Sequence, residues 1–339
     1  MNLQNGDAVV FNGPKLPLEK KRFPLYEDIG DYDAIVETTL ATVCGSDVHT
    51  WLGHRPFPTP CILGHEMVGK IIAIGNNLKT DFNGEKLGMG DKVVWSMTVG
   101  CGECFFCKKE LPQKCTKMFK YGHVKSDEKP HFTGGFAKYV HLKKGSYIFK
   151  VSSELSDEEV APLMCAGSTI ISGLDYAEFQ KCDYVVIQGC GALGMYACAF
   201  SKQLGAKKVI AIDIMNERLK MAKQFGADVT INAKESKEKV LDEIMTITNN
   251  RGVDVVIEVT GEPSVINQGL KMTRVGGTYI LLGAIYPNNH ATIDSSDIIT
   301  KCLKIVGMHN YNPKHLKTAI ELVLKTKEKY PYKKLVGPN

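Results

Sequence analysis

The chain has 339 residues, 44% of them hydrophobic and 23% charged, and a formal net charge of +5. That length exceeds one ordinary core and predicts about two domains; the composition excludes a disordered chain, and no basic stripe interleaved with aromatics supports nucleic-acid binding. No charged and apolar leader opens the chain and no run of about 18 apolar residues occurs, so a soluble, cytosolic protein is expected.

Up to about residue 155, short β-like runs ("DAIVETTLATV", "MVGKIIAIG", "DKVVWSMTV", "FAKYVHL") alternate with Gly- and Pro-rich turns. This is the pattern of an irregular β-barrel-like domain. Two stretches within it carry metal-ligating residue types: "CGSDVHT", Cys44 to Thr50, and "GHEMVG", Gly64 to Gly69. Taken singly, a Cys or His is more often a packed core residue than a ligand. Cys165, in "APLMCAGST" just before the next domain, would complete a Cys2His set with one open position, the ligand set of a catalytic zinc.

Between these stretches, "GCGECFFCKKELPQKC" holds four of the eleven cysteines. Clustered thiols in a cytosolic chain point to metal rather than to disulfides. Cys101, Cys104 and Cys107 are each separated by two residues and Cys115 follows after seven more, so four thiolates can close on one zinc. The ferredoxin run needs its fourth Cys after three residues with a Pro behind it, and neither condition holds. A four-thiolate site has no open position, so this lobe, about residues 97–118, is expected to be structural. Its Lys108, Lys109 and Lys114 lack the histidines and recognition-helix pattern of a nucleic-acid finger. The polar stretch Lys120 to Gly135 reads as loop, with His123 and His131 as ordinary surface histidines. "LKKGS" and "YKKL" read as solvated faces.

From about residue 183 the rhythm changes. The apolar runs "YVVIQG", "KVIAID", "DVTIN", "VDVVIEVT" and "GGTYILLGA" alternate with helix-period segments such as "NERLKMAKQFG", which predicts a doubly wound parallel sheet. "GCGALG" follows the first of these strands and opens a helix: Gly189 permits the turn, Gly191 lets a pyrophosphate approach the backbone, and Gly194 allows close packing. Asp213 ends the next strand, where an acid accepts from ribose hydroxyls and repels a 2′-phosphate; no Arg or Lys directly follows in "DIMNE", so NAD is favoured over NADP. The expected cofactor contacts are Gly189, Gly191, Ala192, Leu193, Gly194, Asp213, Thr260 and Gly283. A helix from Pro313 to about Lys325 is expected to return to the first domain.

Together, "CGSDVHT", "GHEMVG", the four-cysteine lobe, "APLMCAG" and "GCGALG" with Asp213 resemble the zinc-dependent medium-chain dehydrogenase/reductase family, the alcohol dehydrogenases, over nearly the whole chain. The resemblance implies a GroES-like catalytic domain (1–160 and 306–339), a Rossmann NAD-binding domain (161–305), two zinc ions per chain, and an α/β fold overall. By it, Cys44, His65 and Cys165 are the catalytic zinc ligands, and Glu66 is a neighbour able to contact the metal. Asp47 falls where a carboxylate orients the ligating His. Ser46 stands where a hydroxyl bonds the substrate oxygen, and His49 at the outer end of a proton relay. Gly45 departs from relatives with a basic residue there. Rossmann domains of the family pair through sheet edges, here around "YILLGA" and "TIDSSD", so a homodimer or homotetramer is expected.

The longer stretches "VVWSMTVGCGECFFCKKELPQKCTKMFKYGH" and "GMHNYNPKHL" resemble the phosphonate-catabolism-associated subgroup, which implies a hydroxyalkylphosphonate or its oxidised partner as substrate. His54 and Arg55 are candidates to hold such an oxyanion, with His309 and Asn310 a weaker pair; the plainer reading of Arg55 is a surface salt bridge. Sorbitol-type and threonine-type dehydrogenases are the alternatives, although sorbitol-type members commonly use Glu as third ligand. A zinc-stabilised nucleotide-binding protein without dehydrogenase activity is the alternative from another class.

Overall fold

The computed structural model describes residues 5–25, 29–234, 236–283 and 289–337. The chain divides into two compact units: Met1–Cys165 with Asn312–Ile320 and Tyr332–Asn339, and Ala166–Tyr311 with Glu321–Pro331. The first boundary thus falls after Cys165 rather than residue 160, and the second after Tyr311 rather than residue 305. Packing explains the first shift. Met164 holds its turn to the first unit, its Sδ accepting from the Met67 backbone N–H at 3.2 Å. Directly after it, the helix Ala166–Tyr176 is buried from Ala166 to Leu174, and the space beside Gly173 is filled by Ile280 and Leu282 of the second unit.

The first unit is built on a five-stranded antiparallel sheet, with the strands Ile148–Lys150, Lys92–Trp95, Glu66–Ile74, Ala34–Thr42 and Tyr139–Leu142 in that spatial order. A three-stranded sheet of Glu19–Phe23, Gly6–Phe11 and Cys61–Ile62 accompanies it. The long pair Ala34–Thr42 and Glu66–Ile74 shifts register at Ile35/Val36 and again at Thr38/Leu40. Such bulges bend strands, as a small closed β-structure requires. Val10, Ile35, Ile62, Phe132 and Tyr139 pack as its core.

The second unit is a six-stranded parallel sheet in the spatial order Val229–Asn232, Lys208–Asp213, Tyr184–Gln188, Val253–Glu258, Thr273–Leu281, Lys304–Gly307. Its inner strands are covered on both faces, so they read as continuous apolar runs; Val253–Glu258 is buried at every position. Strand order reverses between Tyr184–Gln188 and Val253–Glu258, and the crevice at such a switch point is where open α/β sheets bind ligands. Helices Ala192–Gln203, Asn216–Gln224 and Pro313–Thr326 stand close to their expected positions. Among the described residues no helix is long and apolar enough to cross a membrane.

Candidate metal centre and nucleotide cradle

Cys44 caps the short helix Gly45–Trp51, and Asp47 in its first turn returns to the cap, Oδ2 accepting from the Cys44 backbone N–H at 3.0 Å. The other oxygen of the same carboxylate accepts from His65 Nδ1 at 3.1 Å. With Nδ1 given to Asp47, the His65 ring turns Nε2 toward the cluster, the nitrogen that a metal would take in place of a proton. Ser46 Oγ lies 3.3 Å from that nitrogen. The ligand atoms of Cys44, His65, Glu66 and Cys165 all lie within 4.8 Å of one another. All four belong to the first unit.

The electrostatics fit a cation. A hydrogen bond from Cys165 holds the Cys44 thiol well below its ordinary pKa against the effect of burial, with His65 assisting. The same bond, with burial, pushes Cys165 well up. Burial alone would depress His65, but the charges of Asp47 and Cys44 raise it to about 10. Glu66 is pushed up chiefly by burial, and its Oε2 accepts the Thr42 hydroxyl. Two thiols, an imidazole and a carboxylate, crowded and dry, form a donor set suited to zinc.

Burial and ring contacts place His123 and His131 differently from the expected surface role. His123 packs edge-on against His65 and Phe57, with ring centroids 5.3 and 4.5 Å apart, and its Nδ1 bonds the Tyr121 carbonyl. His131 stacks on Phe23. Arg55 makes no salt bridge among the described residues; its guanidinium lies over Phe57. His54 Nδ1 is 2.9 Å from His49 Nδ1. His309 and Asn310 belong to the second unit.

The lobe cysteines Cys101, Cys104, Cys107 and Cys115 also bring their sulfurs within 4.8 Å of one another, and all are free thiols. Backbone N–H groups of Cys101 and Lys117 point at the Cys115 sulfur, at 3.2 and 3.3 Å, and that of Cys104 at Cys101, at 3.4 Å. Backbone donors from Cys107 and Thr116 hold Cys104 down at about 6. Strands Thr98–Val99 and Phe119–Lys120 pair antiparallel and close the base of the lobe.

In the second unit, Gly189 has φ +102°, and a Cβ there would meet Thr260. A Cβ on Gly194 would lie 2.0 Å from the Gly189 carbonyl oxygen, so helix Ala192–Gln203 sits tight on the loop. A Cβ on Gly191 would meet nothing within 4 Å, which leaves room for a ligand's phosphate against the backbone. Ala192 and Leu193 form the first helical turn, where N–H groups lack helical partners. Asp213 is held by backbone: Oδ2 accepts from Cys190 N at 2.7 Å and Oδ1 from Met215 N at 2.9 Å. Arg218, five residues on, brings a cation within 3.8 Å of Asp213 Oδ2, a neighbour that "DIMNE" stops one residue short of showing.

Glu258, fully buried at the end of its strand, gathers the two later cofactor positions. Its Oε1 accepts from the Thr260 N–H and hydroxyl at 2.6 Å each and from Gly261 N at 2.8 Å, while Oε2 accepts from Gly283 N at 3.2 Å. Sequence reading passed over Glu258, Thr42, Arg218 and Lys120; of these only Arg218 carried a local signal, being a cation a few residues past the ribose acid.

Residues 30–153 match the alcohol dehydrogenase GroES-like domain, and residues 192–325 match the zinc-binding dehydrogenase domain. The chain is 31% identical to 5-exo-hydroxycamphor dehydrogenase of Pseudomonas putida over 89% of its own length and 84% of that protein. It is also 31% identical to D-arabitol-phosphate dehydrogenase of Enterococcus avium, over 87% and 80% of the two chains. The solved alcohol dehydrogenase of Thermotoga maritima superposes with a TM-score of 0.92 at 33% identity, covering 98% of this chain and 91% of that one. Identity at that level, sustained through both units, reflects common descent, and the chain belongs to the zinc-type medium-chain alcohol dehydrogenase family, as an oxidoreductase of small-molecule alcohols.

Proposed function

We propose that this chain is an NAD-linked dehydrogenase holding two zinc ions, one catalytic and one structural, and that its substrate is a hydroxyalkylphosphonate or the corresponding carbonyl compound. The observation that carries the enzymatic part is the Cys44, His65 and Cys165 donor set with its imidazole aimed by Asp47. Cys44, His65 and Cys165 would hold the catalytic ion, with Glu66 in reserve, and Cys101, Cys104, Cys107 and Cys115 the structural one. Bound zinc supplies Lewis acidity to a substrate oxygen, and bound nicotinamide takes or gives the hydride.

The chain's own groups manage the proton and the positioning. Ser46, beside His65, accepts the substrate hydroxyl proton, and His49, three residues on along the same helix, passes it toward solvent. The His49 to His54 bond allows one of these rings to donate through Nδ1 while the other accepts, which sets their tautomers together. Gly191 and the first turn of the following helix cradle the pyrophosphate, and Asp213 with Arg218 faces the adenosine ribose. Arg218 moderates the preference for NAD by offering a cation where a 2′-phosphate would sit. The half-exposed edge strand Lys304–Gly307 is the surface through which a second copy would add to the sheet.

The likeness to an arabitol-phosphate dehydrogenase favours a second reading, a phosphorylated polyol. NADH formation by zinc-loaded protein, assayed on 1- and 2-hydroxyalkylphosphonates, polyol phosphates and matched neutral alcohols, decides between them. Turnover preferring phosphonates and lost in Cys44→Ser supports the first reading. Turnover only on polyols or neutral alcohols keeps the dehydrogenase and discards the phosphonate.

A further inference from the structure

Beyond the donor set, a run of rings leads away from His65. His123 meets His65 with centroids 5.3 Å apart, Phe57 meets His123 at 4.5 Å, and the Arg55 guanidinium carbon lies 5.1 Å from the Phe57 centroid. Lys120 approaches the same place on the strand that closes the four-cysteine lobe. Its carbonyl accepts from the His123 N–H at 3.1 Å. Two residues on, Gly122 packs so closely that a Cβ would lie 2.5 Å from the Gly64 carbonyl oxygen and 3.4 Å from His65 Cβ. Arg55, Lys114, Cys44, Cys165 and His123 are among the ionisable groups within electrostatic reach of Lys120.

Among the described residues, neither the Arg55 nor the Lys120 side chain has a carboxylate or hydrogen-bond partner. Three other sheltered cations are compensated. Lys92 reaches the Leu155 carbonyl and Asp157, Arg274 pairs with Asp254, and Lys301 binds the carbonyls of Leu270, Lys271 and Thr273. Two half-buried cations that repel each other cost free energy; the Cys44 and Cys165 sulfurs offset part of this at Lys120, but those sulfurs are the ones a metal would take up, which leaves the pair to be joined by an anion. His123 does not fill that role, because its Nδ1 hydrogen is given to the Tyr121 carbonyl and the neutral ring keeps only an acceptor. His54 is turned to His49.

We propose that Arg55 and Lys120 form an oxyanion subsite beside the Cys44, His65 and Cys165 cluster, which takes the phosphonate, phosphate or carboxylate end of the substrate while its hydroxyl end meets the metal. The Arg55 guanidinium carbon rests over the Phe57 ring, and the planar fork of N–H groups on an arginine can meet two oxygens at once. The subsite deepens the function proposed above, resting on it only for which end of the molecule reacts.

The test is calorimetric titration of the zinc-loaded full chain with methylphosphonate, inorganic phosphate and acetate as separate probes, with ADP-ribose present to fill the nucleotide cradle. At least one probe is expected to bind one per chain, and Arg55→Gln and Lys120→Gln each to weaken it about tenfold or more, equivalent to about 1.4 kcal/mol. Lys120→Arg is expected to retain binding. Whichever probe binds tightest names the anion. Absence of binding by all three, or binding untouched by both substitutions, overturns the subsite. Arg55→Gln, on a surface loop, carries the test alone if Lys120→Gln fails to fold. Binding lost in the variants without any turnover of hydroxyalkylphosphonates keeps the subsite and removes the substrate reading. An unchanged ratio of phosphonate to neutral-alcohol kcat/KM in Arg55→Gln removes the subsite and leaves the dehydrogenase.

Discussion

A single carboxylate aligns two of the candidate ligands. Asp47 spends one oxygen on the Cys44 backbone and the other on the His65 ring, so an amide in its place can accept only one of these bonds and turns an N–H toward the other donor. Asp47→Asn is therefore expected to weaken zinc binding about 10- to 100-fold, read by competition with a chromogenic chelator. Undiminished affinity would show that Asp47 does not orient the ligands. Lys120 makes a pH prediction. Burial, reinforced by Arg55 and Lys114 and opposed by Cys165 and Cys44, lowers its ammonium to about 8. Sulfate, whose charge is constant, should accordingly bind progressively less well above pH 8, and Lys120→Arg should flatten that profile. The sign for stability is opposite. The unfolded chain binds this proton up to about pH 10.4, so between about 8 and 10.4 it holds more protons than the folded chain, and the contribution of Lys120 to stability rises with pH.

At the scale of elements, the turn between strand Tyr184–Gln188 and helix Ala192–Gln203 separates two kinds of glycine. Gly191→Ala adds a methyl where the protein has open space, so its melting temperature should hold while NADH affinity, followed by fluorescence, falls about tenfold or more. Gly194→Ala drives a methyl into the Gly189 carbonyl and should cost stability itself, on the order of 1–3 kcal/mol. Equal melting temperatures for the two variants would contradict this assignment. The spacing of these glycines was legible because their roles are local to one turn. Glu258 was not: in sequence it is one acid closing an apolar strand, and its meaning comes from Gly283, 25 residues away, and from Thr260. Lys120 was read as the start of a polar loop for the same reason, since nothing within its own segment signals Arg55 or Cys165.

For the whole molecule, alternation of strand and helix foretold the parallel sheet, because its central strands Lys208–Asp213, Tyr184–Gln188 and Val253–Glu258 are buried on both faces and so read as apolar. The unit boundary was harder to place, because "APLMCAGST" has no turn or charge to mark it, while Met164 bonds to Met67 and the helix that begins at Ala166 belongs to the second unit. Metal content reads both cysteine clusters of the first unit at once. Atomic emission should count two zinc ions per chain, falling to one in Cys104→Ser, with a lower melting temperature and with NADH binding retained by the folded fraction. Full zinc content and stability in that variant would remove Cys104 from the ligand set.

The pairing of Thr98–Val99 with Phe119–Lys120 ties the lobe to the segment that carries Lys120 and, two residues on, packs against Gly64 and His65. The strand that shuts the four-cysteine lobe is the one that carries Lys120, so if the lobe holds a metal and Lys120 an anion as proposed above, chelation or oxidation of the lobe thiols would loosen the strand that bears the anion's lysine.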